Sequence, residues 1–114
     1  MGLLVISLPK FIIMIVYNTT IKVSLHIADE WVAWQKQEHI PEILATKLFD
    51  DYEMYRLMEQ DEEDGITFTI QYFTTSKERY QKYISSFAGV LREKAFAKWG
   101  NQFTAFRTVM EAVK

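Results

Sequence analysis

The stretch "GITFTIQYF", residues 65–73, constrains the fold more than any other part of this 114-residue chain. Ile66, Phe68, Ile70 and Tyr72 alternate with Thr67, Thr69, Gln71 and Phe73. Successive side chains of an extended strand point to opposite faces, so this segment is a strand with one apolar face that must be covered. The same alternation recurs from Tyr17, with Tyr17, Thr19, Ile21, Val23 and Leu25 on one face and Asn18, Thr20, Lys22 and Ser24 on the other. Two further segments, roughly Asp51 to Glu59 and "QFTAFRTVMEAV", read as strands and bring the number to four.

Helical patterns separate the strands. Asp29 offers an N-cap, Glu30 suits the positive end of a helix dipole, and Trp31, Trp34, Gln35 and Glu38 follow at helical spacing. Pro41 is expected to stop this helix by restricting Ile40. Thr75 and Glu78 form a T-x-x-E capping box that opens a second helix. Its Tyr80, Tyr83, Ile84, Phe87, Leu91 and Ala95 make a core stripe. Gly89 marks a bend or a break into two pieces, and Gly100 caps the end. The acidic run "EQDEEDG" reads as a solvated loop closing on Asp64-Gly65, a hairpin signal, and it lacks the spaced oxygen ligands of a calcium loop.

The order β-α-β-β-α-β is the α+β, ferredoxin-like arrangement. Right-handed crossovers put both helices on one face of a four-stranded antiparallel sheet and leave the other face without a helix. Residues 14–114 therefore read as one domain, and residues 1–13 as an N-terminal extension arising from start-codon choice. "MGLLVISLPKFIIMIV" is broken by Pro9 and Lys10, is too short for a membrane span and leads to no cleavage site, and Ile6 breaks a myristoylation pattern. No membrane partner is expected. A net charge of −2 gives no basic stripe, so no nucleic-acid partner is expected either. The chain has no cysteine, which excludes disulfides, thiolate catalysis and Cys-type zinc sites and is compatible with a cytoplasmic protein.

"MIVYNTTIKV", "EWVAWQKQEHIPEILAT", "GITFTIQYF" and "FTAFRTVMEAV" resemble a small bacterial family classed as a domain of unknown function. Its members run YNVTVNV, then EEW-x-x-W with HIPE-x-LATG, then TYSVQY and AFRT. The likeness covers Met14 to the C-terminus. Lys47 stands where the family usually has Gly, and Gly89 where Pro is common. The family is in turn similar to the dimeric α/β-barrel group, whose ferredoxin-like protomers pair sheet against sheet. That group includes cofactor-free monooxygenases, muconolactone-isomerase-like enzymes and haem-degrading enzymes. The resemblance implies the fold and a homodimer; it implies no particular activity, because fold does not fix function.

The sheet face without helices supplies the first candidate site. Asn18, Thr20 and Lys22 share it with Thr67, Thr69 and Gln71. If Phe106 and Met110 point at the helices, Arg107 joins them, and Arg56 joins by the same alternation. Buried cations need partners, so Asn18, Lys22, Arg56, Thr69, Gln71 and Arg107 are expected to line a cavity for a small polar or anionic ligand. The alternative is that the cations pair with Glu53, Glu111 or a partner subunit's carboxylates.

His39, in the last turn of the first helix, is the catalytic candidate for acid–base work, with carbonyl capping as its structural alternative. Glu38, His39 and Glu42 make poor metal geometry across a proline, and no metal is expected. Asn18 suits a haem-degrading reading, but the helix from Ser76 to Trp99 has no histidine to hold iron, and no cofactor is expected. No serine lies in a nucleophile elbow. The expected function is thus ligand binding by a homodimer. One alternative is a cofactor-independent monooxygenase- or isomerase-like enzyme, with His39 as acid–base and Arg107 or Lys22 steadying an enolate or carboxylate. The other is a structural dimer without ligand.

Overall fold

Alternation in the two central strands becomes the layering of the molecule. In the computed structural model, which describes residues 13–113, β1 (Ile15–Val23) pairs antiparallel with β3 (Ile66–Thr74). The expected extension at 1–13 lies outside the described residues, apart from Ile13. The register sets Tyr17 opposite Tyr72, Thr19 opposite Ile70 and Ile21 opposite Phe68 on one face, and Asn18 opposite Gln71 and Thr20 opposite Thr69 on the other. β2 (Asp51–Arg56) and β4 (Phe103–Glu111) flank this pair, giving the sheet order β2-β3-β1-β4 with every neighbour antiparallel. This is the ferredoxin-like sheet expected from the element order.

The apolar faces meet the helices in an aromatic core. Tyr17 stacks on Phe49 at 5.9 Å, and Phe49 meets Tyr83 edge-on at 5.0 Å. Trp31, 1% exposed, lies on Phe68 at 5.3 Å. Aromatic pairs of this geometry each stabilise by roughly 0.5–1.5 kcal/mol beyond their burial.

The helices depart from the sequence reading at instructive places. α1 (Ala28–Trp34) starts directly after a 3-10 turn, Leu25–Ile27, rather than from an Asp29 cap. Pro41 does not stop the helix. Ile40 keeps helical angles (φ −60°, ψ −46°), and the chain continues as α2 (Ile40–Ala45). Between them Gln35–His39 form a π turn, in which the Ile40 N–H donates to the Gln35 carbonyl. Proline lacks an N–H and its ring crowds the preceding turn, so a widened turn lets the helix run through it.

α3 (Lys77–Ser86) is capped by Ser76, whose Oγ accepts from the Arg79 N–H at 3.2 Å, one residue later than the Thr75 box. The break before α4 (Ala88–Trp99) falls at Phe87 (φ −126°, ψ −33°), two residues ahead of Gly89, because Phe87 turns its ring toward the core. Gly100 ends α4 at φ 59°, as expected. β2 ends at Arg56, so residues 57–65 form a loop rather than a tight hairpin. Gly65 serves a different purpose there: a Cβ would run into the Val23 carbonyl.

Lys47 has φ 64° just past the end of α2. Its carbonyl accepts from Arg79 Nη2 at 2.6 Å, which holds the left-handed turn in place. A Cβ is disfavoured in this region, and Gly is the usual residue there. Lys47→Gly is therefore expected to raise stability by roughly 0.5–1 kcal/mol in urea unfolding, whereas Lys47→Ala should leave it unchanged. A destabilised glycine variant would show that the turn is not strained.

Candidate functional site

The phase of β4 decides where the basic side chains go. Its ladder to β1 pairs Thr19 with Arg107 and Ile21 with Ala105, while Thr20 faces Phe106 and Val16 faces Met110. Phe103 and Ala105 are the residues that pack on the core, so Arg107 follows them onto the helix side. Phe106 (65% exposed) and Met110 lie on the opposite face. The expectation that these two point at the helices is overturned. On an edge strand with little helix cover, apolarity does not mark the inner face, and the smaller Ala105 sits there instead.

Arg56 is also misplaced by the alternation: it pairs opposite Phe68, on the helix side. Sitting at the strand's end, it reaches Glu62 with an Nε–Oε2 distance of 3.0 Å. The face without helices thus holds Lys22 alone of the three expected cations. Asn18, Thr69 and Gln71 do lie on it. Asn18 Nδ2 donates to Thr20 Oγ1 at 3.2 Å and Thr108 Oγ1 at 3.3 Å. Threonines and the exposed Tyr55, Phe106 and Met110 dominate this face, and the expected ring of three cations is not there.

A pocket lies on the other side, between sheet and helices. It is narrow, about 40 Å³, and Tyr17, Trp31, Ile70, Tyr72 and Leu91 are among its apolar walls. Its polar lining is Thr19, Gln35, His39, Tyr83, Arg92 and Arg107. Gln35 and His39 come from the two ends of the π turn. Gln35 is 3% exposed, yet its Oε1 has no hydrogen-bond partner, and His39 Nδ1 is likewise buried and unpaired. Arg92 donates through Nη2 to Tyr17 Oη at 2.9 Å. Neither Arg92 nor Arg107 joins an ion pair among the described residues.

His39 is not at a helix end, so the capping role falls; its ring instead stacks on Trp34 at 4.6 Å. Burial pushes its pKa down to about 4, with Arg107 and Lys94 adding to the effect and Glu42 opposing it. The imidazole is therefore neutral at pH 7. Burial also pushes the Tyr72 and Tyr83 phenols up, so both stay protonated. Glu42 is held by Lys94 at 2.8 Å, and no cluster of three or more metal-ligating side chains occurs among the described residues. No described helix is long and apolar enough to cross a membrane.

Sequence reasoning missed Gln35, Arg92 and Tyr83 as pocket residues. One signal was present: Gln35 stands four residues after Trp31, so a carboxamide falls on the buried stripe of the helix.

Residues 14–113 match the sequence pattern of the family described as Domain of unknown function (DUF4286), and the chain belongs to it. No curated protein matches in sequence. Among solved structures, a dimeric ferredoxin-like protein from an uncultured marine organism is similar, with a TM-score of 0.65 at 10% identity over 90% of this chain and 97% of that one. An ethyl tert-butyl ether d (EthD) family protein from Bacillus halodurans gives 0.63 at 12% identity, covering 87% and 99%. SnoaB, a cofactor-independent oxygenase from Streptomyces nogalater, gives 0.61 at 10% identity, covering 89% and 94%. At these identities the likeness is one of fold.

The His39 environment sets a pH dependence. A free histidine titrates near 6.5 and the folded one near 4, so the unfolded chain binds this proton more readily. The stability held by neutral His39 is complete above about pH 6.5 and declines as pH falls toward 4, by on the order of 3 kcal/mol in total. Replacing His39 by Gln should flatten the stability profile in that window, and an NMR titration placing the His39 ring near 6.5 would contradict it.

Proposed function

We propose that the protein binds a small anionic molecule in the pocket between sheet and helices, and that two copies associate through the face that no helix covers. The observation that carries the first part is one pocket lined by Gln35 and His39, buried polar residues that each carry an unpaired atom, and by two arginines that join no ion pair among the described residues. Leaving a buried polar atom unpaired costs roughly 1–3 kcal/mol, a cost that a ligand supplying the missing bond would remove. The expected anion site therefore moves from the helix-free face to the pocket. Arg107 keeps its proposed role there, His39 sits inside, and Lys22 and Arg56 drop out.

The association rests on the threonine, aromatic and methionine side chains of the face, on the nearly cation-free surface they form, and on likeness to a dimeric ferredoxin-like protein. Light scattering at micromolar concentration should return a dimer. Thr20→Arg, at the centre of the face opposite Thr69 and Phe106, should give a folded monomer. A wild-type monomer would sink this half of the proposal.

A turnover reading is favoured by a second observation, the neutral imidazole of His39 beside Arg107 in one pocket. His39 would accept a proton from the bound molecule while Arg107 steadies the oxygen on which the electron pair is left. A base this weak suits only a fairly acidic substrate, so binding without turnover remains the primary reading. The deciding experiment is a thermal-shift screen of small and aromatic carboxylic acids against wild type and Arg107→Ala. Ligands that stabilise wild type should lose at least tenfold in affinity in the variant. Equal shifts in both proteins would place binding elsewhere.

A further inference from the structure

The two edges of the sheet differ in what they leave open. Ser24 N–H donates to the Gln102 carbonyl and Ala112 N–H to the Met14 carbonyl, both at 2.9 Å. These bonds bracket the β1–β4 ladder, so the even-numbered residues of β4 bond inward to β1. Arg107, Val109 and Glu111 therefore turn their backbone N–H and C=O outward, where no described strand meets them. β4 carries neither proline nor bulge, Val109 and Met110 are exposed, and Val113 just beyond is 99% exposed. β2, at the other edge, is protected. Its ladder bond from Leu57 N–H to the Thr67 carbonyl turns Tyr52 outward, and Asp51 Oδ1 takes the Tyr52 N–H at 2.8 Å. It is also shorter and bears Asp51, Glu53 and Arg56, charges of the kind that blunt an edge.

An open edge is a template for another strand, and the charges of β4 say which one. When a second β4 arrives antiparallel across a two-fold axis, outward residues must meet outward residues. An axis at Arg107 sets two arginines opposite each other, and one at Glu111 sets two glutamates, both unfavourable. Only an axis at Val109 puts Arg107 of each copy directly opposite Glu111 of the other. The same register lays Val109 on Val109, Ala105 on the exposed Val113, and Thr108 beside Met110 on the other face. We propose that β4 pairs with β4 of a second copy in this register, joining two sheets edge to edge. Lys77 holds Glu111 through Oε2 at 3.3 Å, with both side chains about half exposed, which leaves Oε1 for the guanidinium. This contact is separate from the helix-free face. Because Arg107 also lines the pocket, an acid bound there would draw on the same guanidinium.

The test is sedimentation equilibrium from about 10 μM to about 500 μM, since a single strand edge buries less than a standard interface and associates weakly. The wild-type mass should rise above that of the face-paired dimer across this range. Arg107→Glu and Glu111→Arg should each weaken the association about tenfold, because like charges then oppose each other twice across the axis. Mixed in equal amounts, the two variants should associate again, each meeting the opposite charge in the other. Val109→Pro removes an outward N–H and leaves the β1 ladder whole, so it should stay folded by circular dichroism and lose the rise. A constant wild-type mass would overturn the pairing, as would a mixture no heavier than its components. An undiminished rise in all three variants would overturn it too and assign the association to another surface. Were the face contact absent, the same rise would start from the monomer, so the two contacts are scored apart.

Discussion

Backbone hydrogen bonding of β1 to β3 on one side and β4 on the other fixes which face each strand side chain of the pocket takes. Because strand side chains alternate, the phase of β1 is passed to both neighbours without freedom to slip. Opposite Tyr72 and Ile70 it presents Tyr17 and Thr19, and opposite Thr19 it places Arg107. One residue of slip in β4 would carry Arg107 to the far face and bring Phe106 and Met110 against the helices. The pocket's positive side therefore follows from the β1–β4 ladder, with the core contacts of Phe103 and Ala105 holding its phase.

The helix side depends on a second constraint, the proline at 41. A regular helix cannot carry that ring without losing a hydrogen bond and meeting a carbonyl, and the π turn at Gln35–His39 accommodates both effects. Gln35 and His39, four residues apart at the two ends of this turn, share one helix face and both line the pocket. A residue that reads as a helix stop is thus carried inside a continuous helical segment by a local widening of the turn before it.

Sequence patterns carried the sheet further than the site. β1 and β3 were legible because both faces are committed, one to a helix layer and one to polar residues, so alternation is strict. β4 was not, because its outer face carries Phe106 and Met110 without burial, and apolar side chains on an exposed edge mimic a core phase. The Thr75 box failed by one residue because Ser76 is an equally good cap, and only the backbone turn chooses between them. His39 was picked for its chemistry and does line the pocket. Gln35 was passed over as a helical spacer, since a carboxamide advertises no reactivity and its importance lies in being buried without a partner.

That unpaired carboxamide bears on what the fold has been shaped to do. A leucine or methionine at position 35 would fill the same volume with no unmet bond, and domains of this size have only about 5–15 kcal/mol of net stability to lose. Two buried unpaired atoms in one pocket, at roughly 1–3 kcal/mol each, are a large standing cost within that range. They stand on residues of the same pocket as Arg92 and Arg107, which join no ion pair among the described residues. On the helix-free face Asn18 is satisfied only in part: its Nδ2 donates to Thr20 and Thr108 within the sheet, while its Oδ1 is buried without a partner.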